Sequence, residues 1–168
     1  VNITVEYLRK YNKPGIASHI LGRTGIIFKE EFEALEGKGY TINDIIGKDG
    51  IEKHSEDILR GTDGINNIEE DDQGHIISSV SSVSAIPGND VVLTIDSALQ
   101  EETERALADA IYDIRSKASE LNDYEGIDCN SGSAVVIDVH SGEILALASA
   151  PTFNLESFNK DYEANYNN

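Results

Sequence analysis

Ser157-Phe158-Asn159-Lys160 sets a hydroxyl and an amine three residues apart late in the chain. On a helix, positions i and i+3 share a face, so the amine would take the serine proton and turn the hydroxyl into a nucleophile for acyl transfer. The chain holds fifteen serines and eight lysines, and about one such spacing is expected by chance, so context decides. Such a serine needs a buried helix start, where desolvation lowers the lysine pKa until it acts as a base. Ser157 stands instead in PTFNLESFNKDYEANYNN, a polar, Asn-rich stretch without apolar periodicity. A lysine there stays solvated and protonated. The expectation is a loop with at most a short helix, and no catalytic residue.

The other chemistry-bearing groups are weaker. Glu69, Glu70, Asp71 and Asp72 cluster before Gly74, but a calcium loop wants a glutamate at its twelfth position, and counting from Glu69 that position is Val80. His19, His54, His75 and His140 lack ligand spacing. The single cysteine, Cys129, has no intramolecular disulfide partner and no activating neighbour in sequence, and reads as small filler. No metal and no cofactor is expected.

The elements that would position any site read as α+β. VNITVEYLRKY (1–11) is β-branched and aromatic, a strand ended by Pro14-Gly15. Residues 16–61 read as short helices punctuated by glycine: IASHILG, KEEFEALEG, TINDIIG capped by Thr41, and IEKHSEDILRG. GINNIEEDDQGHIISSVSSVSAIPGND reads as a hairpin about Asp72-Gln73-Gly74, and DVVLTID (90–96) as a strand. The clearest helix follows, with Asp96 or Ser97 as cap and Gln100 in a capping box with Ser97. Leu99, Thr103, Ala106, Leu107, Ala110, Ile111, Ile114, Ala118 and Leu121 form its apolar stripe, with Glu101, Glu104, Arg105, Asp109, Asp113 and Lys117 facing away. SAVVIDV (133–139) and EILALASA (143–150) flank a His140-Ser141-Gly142 turn. Consecutive apolar residues in both arms call for cover on both faces, and one helix covers one face. These strands therefore read as part of a larger sheet.

Composition bounds the partners. A formal charge of −18 without a basic stripe argues against nucleic acid and against an anionic membrane surface. No apolar run reaches the ~18 residues of a membrane helix. The chain contains no Met and opens in strand-like sequence. Its start reads as a cut, so the missing targeting signal says little about compartment.

GSAVVIDVHSGEILALASAPTFN (132–154) resembles the opening hairpin of the transpeptidase domain of class B penicillin-binding proteins, through Gly132, Ala134, Val136, Asp138, Gly142, Glu143, Ile144, Leu145, Ala146, Ser149, Pro151 and Asn154. VVLTIDSALQ (91–100) resembles the segment just before it. GYTINDIIGKDGIEKHSEDILRGTDG (39–64) resembles that family's non-catalytic pedestal, or dimerisation, domain through Gly47, Gly50, Ile51, Glu52, Glu56, Leu59, Gly61 and Gly64, and ASHILGRTG (17–25) the helix-turn upstream of it. The G-Y-x-x-N-D-x-I-G-K run is closer to the elongation type than to the division type.

The resemblance implies a pedestal over 1–89 and the first elements of a transpeptidase domain over 90–168. It implies a non-catalytic piece of a membrane-anchored serine D,D-transpeptidase that cross-links peptidoglycan outside the cytoplasmic membrane and is a β-lactam target. The chain stops in the loop that in this family precedes the S-x-x-K nucleophile. Ser157-Phe158-Asn159 fits the family's S-x-N only by sharing its serine with SFNK. His140-Ser141-Gly142 mimics an H-[ST]-G variant in the wrong order. Penicillin binding by this segment is not expected. Gly47, Gly50, Ile51, Glu52, Arg60 and Gly61 are the structural and interface candidates, with Glu52 and Arg60 flanking one short helix, too far apart on it to pair. The partners implied are a membrane glycan polymerase, other elongation proteins and, as a further option, a second copy of the chain. The alternative class is a free-standing secreted or surface α+β binding module.

Overall fold

The computed structural model describes residues 2–71, 73, 75–120 and 126–158. The mixed α+β class expected from the sequence holds. Two compact units interleave along the chain, residues 1–10 with 55–92 and residues 11–54 with 93–168.

The first unit is built on a three-stranded antiparallel sheet in the order β1-β4-β5, from β1 (Asn2–Val5), β4 (Gly64–Glu70) and β5 (Ile76–Val83). The hairpin expected within 64–90 is present, its strands pairing from Ile65 with Val83 to Glu70 with Ile76, with shifts in register at Asn67/Ile68 and Glu69/Glu70. Strand β1 is shorter than its apolar sequence suggested, pairing Asn2 with Asn67 through Val5 with Gly64. A single-turn helix, α4 (Glu56–Leu59), precedes the sheet. The return strap is tied down by Thr62 and Ile86, which exchange two 2.8 Å backbone hydrogen bonds, and by the Asn89 amide, which donates to the Ile58 carbonyl at 2.8 Å.

The second unit opens with α1 (Ser18–Leu21), β2 (Thr24–Ile26), α2 (Lys29–Ala34), β3 (Ile45–Gly47) and α3 (Gly50–His54). The helix expected over 41–47 does not form. Asp44 accepts from the Thr41 amide at 3.1 Å and from its hydroxyl, closing a turn, and Ile45–Gly47 then pairs with Thr24–Ile26. Three apolar residues are too few to carry a helical period, and the β2 edge supplies the hydrogen bonds.

The rest of this unit is α5 (Ser97–Glu120) lying on a two-stranded sheet of β6 (Gly132–Ile137) and β7 (Ile144–Ala150). The expected 90–96 strand is not a ladder strand. It is an extended segment whose Asp96 amide donates to Leu145 O at 2.9 Å and whose Thr94 hydroxyl donates to Ile144 O at 2.7 Å, along the β7 edge. Asp96 is the helix cap, its Oδ1 accepting the amides of Ala98 and Leu99 at 2.9 Å. The helix-facing side of the hairpin carries small residues, with Ala146 and Ala148 fully buried. The other side is bare and apolar: Val135 is 50% exposed and Ile137 52%, with Ile144 and Leu147 beside them. Among the described residues no helix is long and apolar enough to cross a membrane.

Candidate functional site

Of the six candidates, four lie in the second unit and cluster where β3 runs into α3. Gly47 ends β3 against the α3 backbone: a Cβ there would stand 2.2 Å from the Glu52 carbonyl oxygen and 2.4 Å from the Lys53 nitrogen. Gly50, at φ 58°, faces the end of α1, where a Cβ would meet Gly22 N and Ile20 O at 2.6 Å. The glycines therefore let three backbones touch, a stricter requirement than the turn and cap roles read from sequence. Half-buried Ile51 follows, and then Glu52, 8% exposed, which accepts from the Tyr11 hydroxyl at 3.2 Å.

Lys48, between Gly47 and Gly50, is the most enclosed cation of this cluster. Its side chain is 4% exposed, pairs with Glu31 and sets its Nζ 3.9 Å above the Phe28 ring centre. Glu31 also accepts the Phe28 amide at 2.7 Å. Burial pushes the Glu31 carboxyl up, but the hydrogen bonds from Lys48 and Phe28 and the charges of Lys48 and Lys53 outweigh it and hold the carboxyl below its ordinary value. Arg23 and Asp49 close the cluster at 3.1 Å.

Arg60 and Gly61 belong to the first unit. A Cβ on Gly61 would stand 1.9 Å from Ile86 O, and one on Gly88 2.1 Å from Leu59 O, so the return strap also rests on glycine. Arg60 lies 3.9 Å from Asp63. The helix expected over 51–61 is broken into α3 and α4 about Ser55.

The chemistry-bearing motifs have local structural work. The Asn154 side chain accepts the amides of Glu156 and Ser157 at 2.9 and 3.0 Å, a cap on the turn that holds Ser157. Lys160 lies outside the described residues, as do Asp72 and Gly74. Asp71 Oδ1 accepts the amides of Gln73 and His75 at 2.9 and 2.8 Å, so this acid organises the β4–β5 turn. In the β6–β7 turn Gly142 takes φ 77°, and the amides of His140 and Ser141 donate to Asp138, whose carboxyl they hold below its ordinary value.

Two features escaped the sequence reading. Gln100 is fully buried, and its amide copies a strand edge: Nε2 donates to Leu147 O at 2.9 Å while Oε1 accepts Leu147 N at 2.7 Å. It forms no capping box. Glu104, expected to face away, accepts from Gln100 Nε2 at 2.7 Å and from the Ala17 amide at 2.8 Å. Ala106, Ala110 and Ile114 are exposed instead. The second feature joins residues 14–23 to 151–158. The Leu155 amide donates to Pro14 O at 2.8 Å, the Ser18 hydroxyl to Phe153 O at 2.5 Å, and His19 Nε2 lies 3.0 Å from Pro151 O. The only sequence signal was the polarity of the Asn-rich tail, which pointed the other way.

The profile of the Penicillin-binding Protein dimerisation domain matches residues 1–93. The chain belongs to that family. Peptidoglycan D,D-transpeptidase MrdA of Acinetobacter baumannii is 31% identical over 169 residues, spanning 98% of this chain and 22% of the relative. A chain solved in work on the structural coordination of polymerization and crosslinking by a peptidoglycan synthase complex superposes with TM-score 0.74 at 30% identity, covering 95% of this chain and 27% of that one. Penicillin-binding protein PBP2 of Helicobacter pylori, solved in complex with MreC, gives TM-score 0.56 at 27% identity over 89% of this chain and 24% of that one. The chain thus spans about a quarter of the length of its relatives. The resemblance read from the sequence, to the pedestal region of an elongation-type class B penicillin-binding protein, is borne out.

Proposed function

We propose that this chain is a non-catalytic scaffold segment of a serine D,D-transpeptidase that cross-links peptidoglycan, with residues 1–89 as pedestal and 90–168 as the first elements of the transpeptidase domain. The parent protein is membrane-anchored and works on the extracytoplasmic face of the bacterial cytoplasmic membrane. The pedestal, with Gly47, Gly50, Ile51, Glu52, Arg60 and Gly61 as its structural and interface residues, docks the membrane glycan polymerase and other elongation proteins. The names of the neighbours support this direction, since one comes from a peptidoglycan synthase complex and another was solved with MreC. The observation that carries the reading is the β6–β7 hairpin. Helix α5 covers one face, and the opposite face leaves Val135 and Ile137 half-exposed. A monomeric domain complete in itself rarely leaves such a sheet face bare.

Two measurements test the reading. Incubated with a fluorescent penicillin, the chain takes up no label; stoichiometric labelling abolished by Ser157→Ala would defeat the scaffold assignment. In a pull-down with the membrane glycosyltransferase, the intact parent is captured and charge-reversing pedestal variants weaken capture. Equal capture of every variant would remove the docking role.

A further inference from the structure

The segment leaving β7 is held by residues far from it in sequence. Its backbone runs from Pro151 to Phe158 with three polar groups, Pro151 O, Phe153 O and Leu155 N, bonded to His19, Ser18 and Pro14. The Thr152 hydroxyl adds a 3.4 Å contact to Gly15 O. Its rings are held from the same side: Phe153 stacks edge-on with His19 at 5.0 Å, Phe158 lies 5.1 Å from Phe153, and the Arg23 guanidinium sits 5.1 Å over the Phe158 ring. Leu155 and Ser18 are buried beneath these contacts. The grip is itself anchored to α5, because the Ala17 amide donates to Glu104 and the Lys13 ammonium to Glu101 at 2.6 Å. Pro151 O can only accept, so His19 carries its proton on Nε2, in the neutral and in the charged ring alike.

We propose that residues 14–23 form a latch, with Ser18 and His19 as positioning residues, that sets the path of 151–158 and so transmits the state of the pedestal to the catalytic part of the parent protein. This rests on the transpeptidase reading above. A short segment with no regular secondary structure cannot hold one conformation by itself, because ordering its backbone costs about 1–2 kcal/mol per residue. Here that cost is offset by contacts from α1 and the turn before it, so whatever moves α1 moves the segment. The latch acts through geometry, and its loss slows the chemical step more than it weakens ligand binding.

The test uses the full-length parent protein and fluorescent penicillin, separating the acylation rate constant from the binding constant. His19 is exposed, so its variants keep the fold. His19→Ala is expected to slow acylation roughly tenfold with unchanged penicillin affinity and an unchanged melting temperature, while amide exchange at Leu155 quickens. His19→Gln, which keeps an N–H donor near the Nε2 position, restores the rate, and the exposed control Glu36→Ala has no effect. Acylation by His19→Ala at the parental rate overturns the latch, whatever happens to Leu155 exchange. If the unmodified parent takes no label at all, the transpeptidase reading fails and the latch falls with it.

Discussion

Replacing Gln100 by leucine removes one side chain of nearly equal volume and three hydrogen bonds at once. The carboxamide donates to Leu147 O and Glu104 and accepts from Leu147 N, all within 2.7–2.9 Å, at a fully buried position. Gln100→Leu orphans the amide and carbonyl of Leu147 beneath α5, where water does not replace the lost partner. Each orphaned group costs about 1–3 kcal/mol. The gain from burying more hydrocarbon returns roughly 1 kcal/mol. The net expectation is a loss of about 1–5 kcal/mol, read by urea unfolding followed through the helical ellipticity that α5 dominates. Thr103→Val is the control on the same helix, since the Thr103 hydroxyl bonds back to Leu99 O at 2.6 Å, and it costs under about 1 kcal/mol. In amide exchange, Leu147 becomes unprotected in Gln100→Leu ahead of its strand neighbours. A loss below about 0.5 kcal/mol with Leu147 still protected would mean that apolar packing, and not the amide, sets the phase of α5, and the reasoning would be wrong.

Gly47→Ala and Gly61→Ala each put a methyl within 2.2 Å of backbone and are expected to cost at least about 2 kcal/mol each; thermal unfolding within a degree of the parent would show that the strap and α3 shift freely. Glu31 has a depressed folded pKa, so its contribution is fully present above the unfolded carboxyl value and is lost as pH falls through the folded one. Glu31→Gln should therefore flatten the acid side of the stability–pH curve, and an unchanged slope between neutral pH and pH 3 would refute the pairing with Lys48. The bare hairpin face should drive self-association of the isolated chain. Val135→Thr with Leu147→Thr reduces it in sedimentation velocity, and a parent already monomeric at high concentration would count against that surface being open.

The local period was enough to read α5, the β4–β5 and β6–β7 hairpins and the short helices at 18–21 and 29–34, because each repeats its signal over several residues. It was also enough to find the sheet short of cover, since five consecutive apolar residues from Ile144 cannot all point at one helix. Short runs failed. Ile45–Gly47 became a strand because β2 lay beside it, and the 90–96 segment meets the start of β7 at its C-terminal end, through Thr94 and Asp96, without forming a ladder. The glycines were legible as glycines, but not as close approaches, since the Ile86 oxygen facing Gly61 comes from 25 residues later.

The amino-acid order alone thus determined the class of elements, the family and the one-sidedness of the helix, all properties of patterns within a few turns of chain. Tertiary structure alone decided the rotation of α5, the inward turn of Gln100 and Glu104, and the grip of residues 14–23 on 151–158. Those depend on which backbone groups would otherwise be buried without a partner, and their partners lie 47 to 135 positions away. A buried polar atom takes the nearest partner in space, and sequence spacing does not encode that distance.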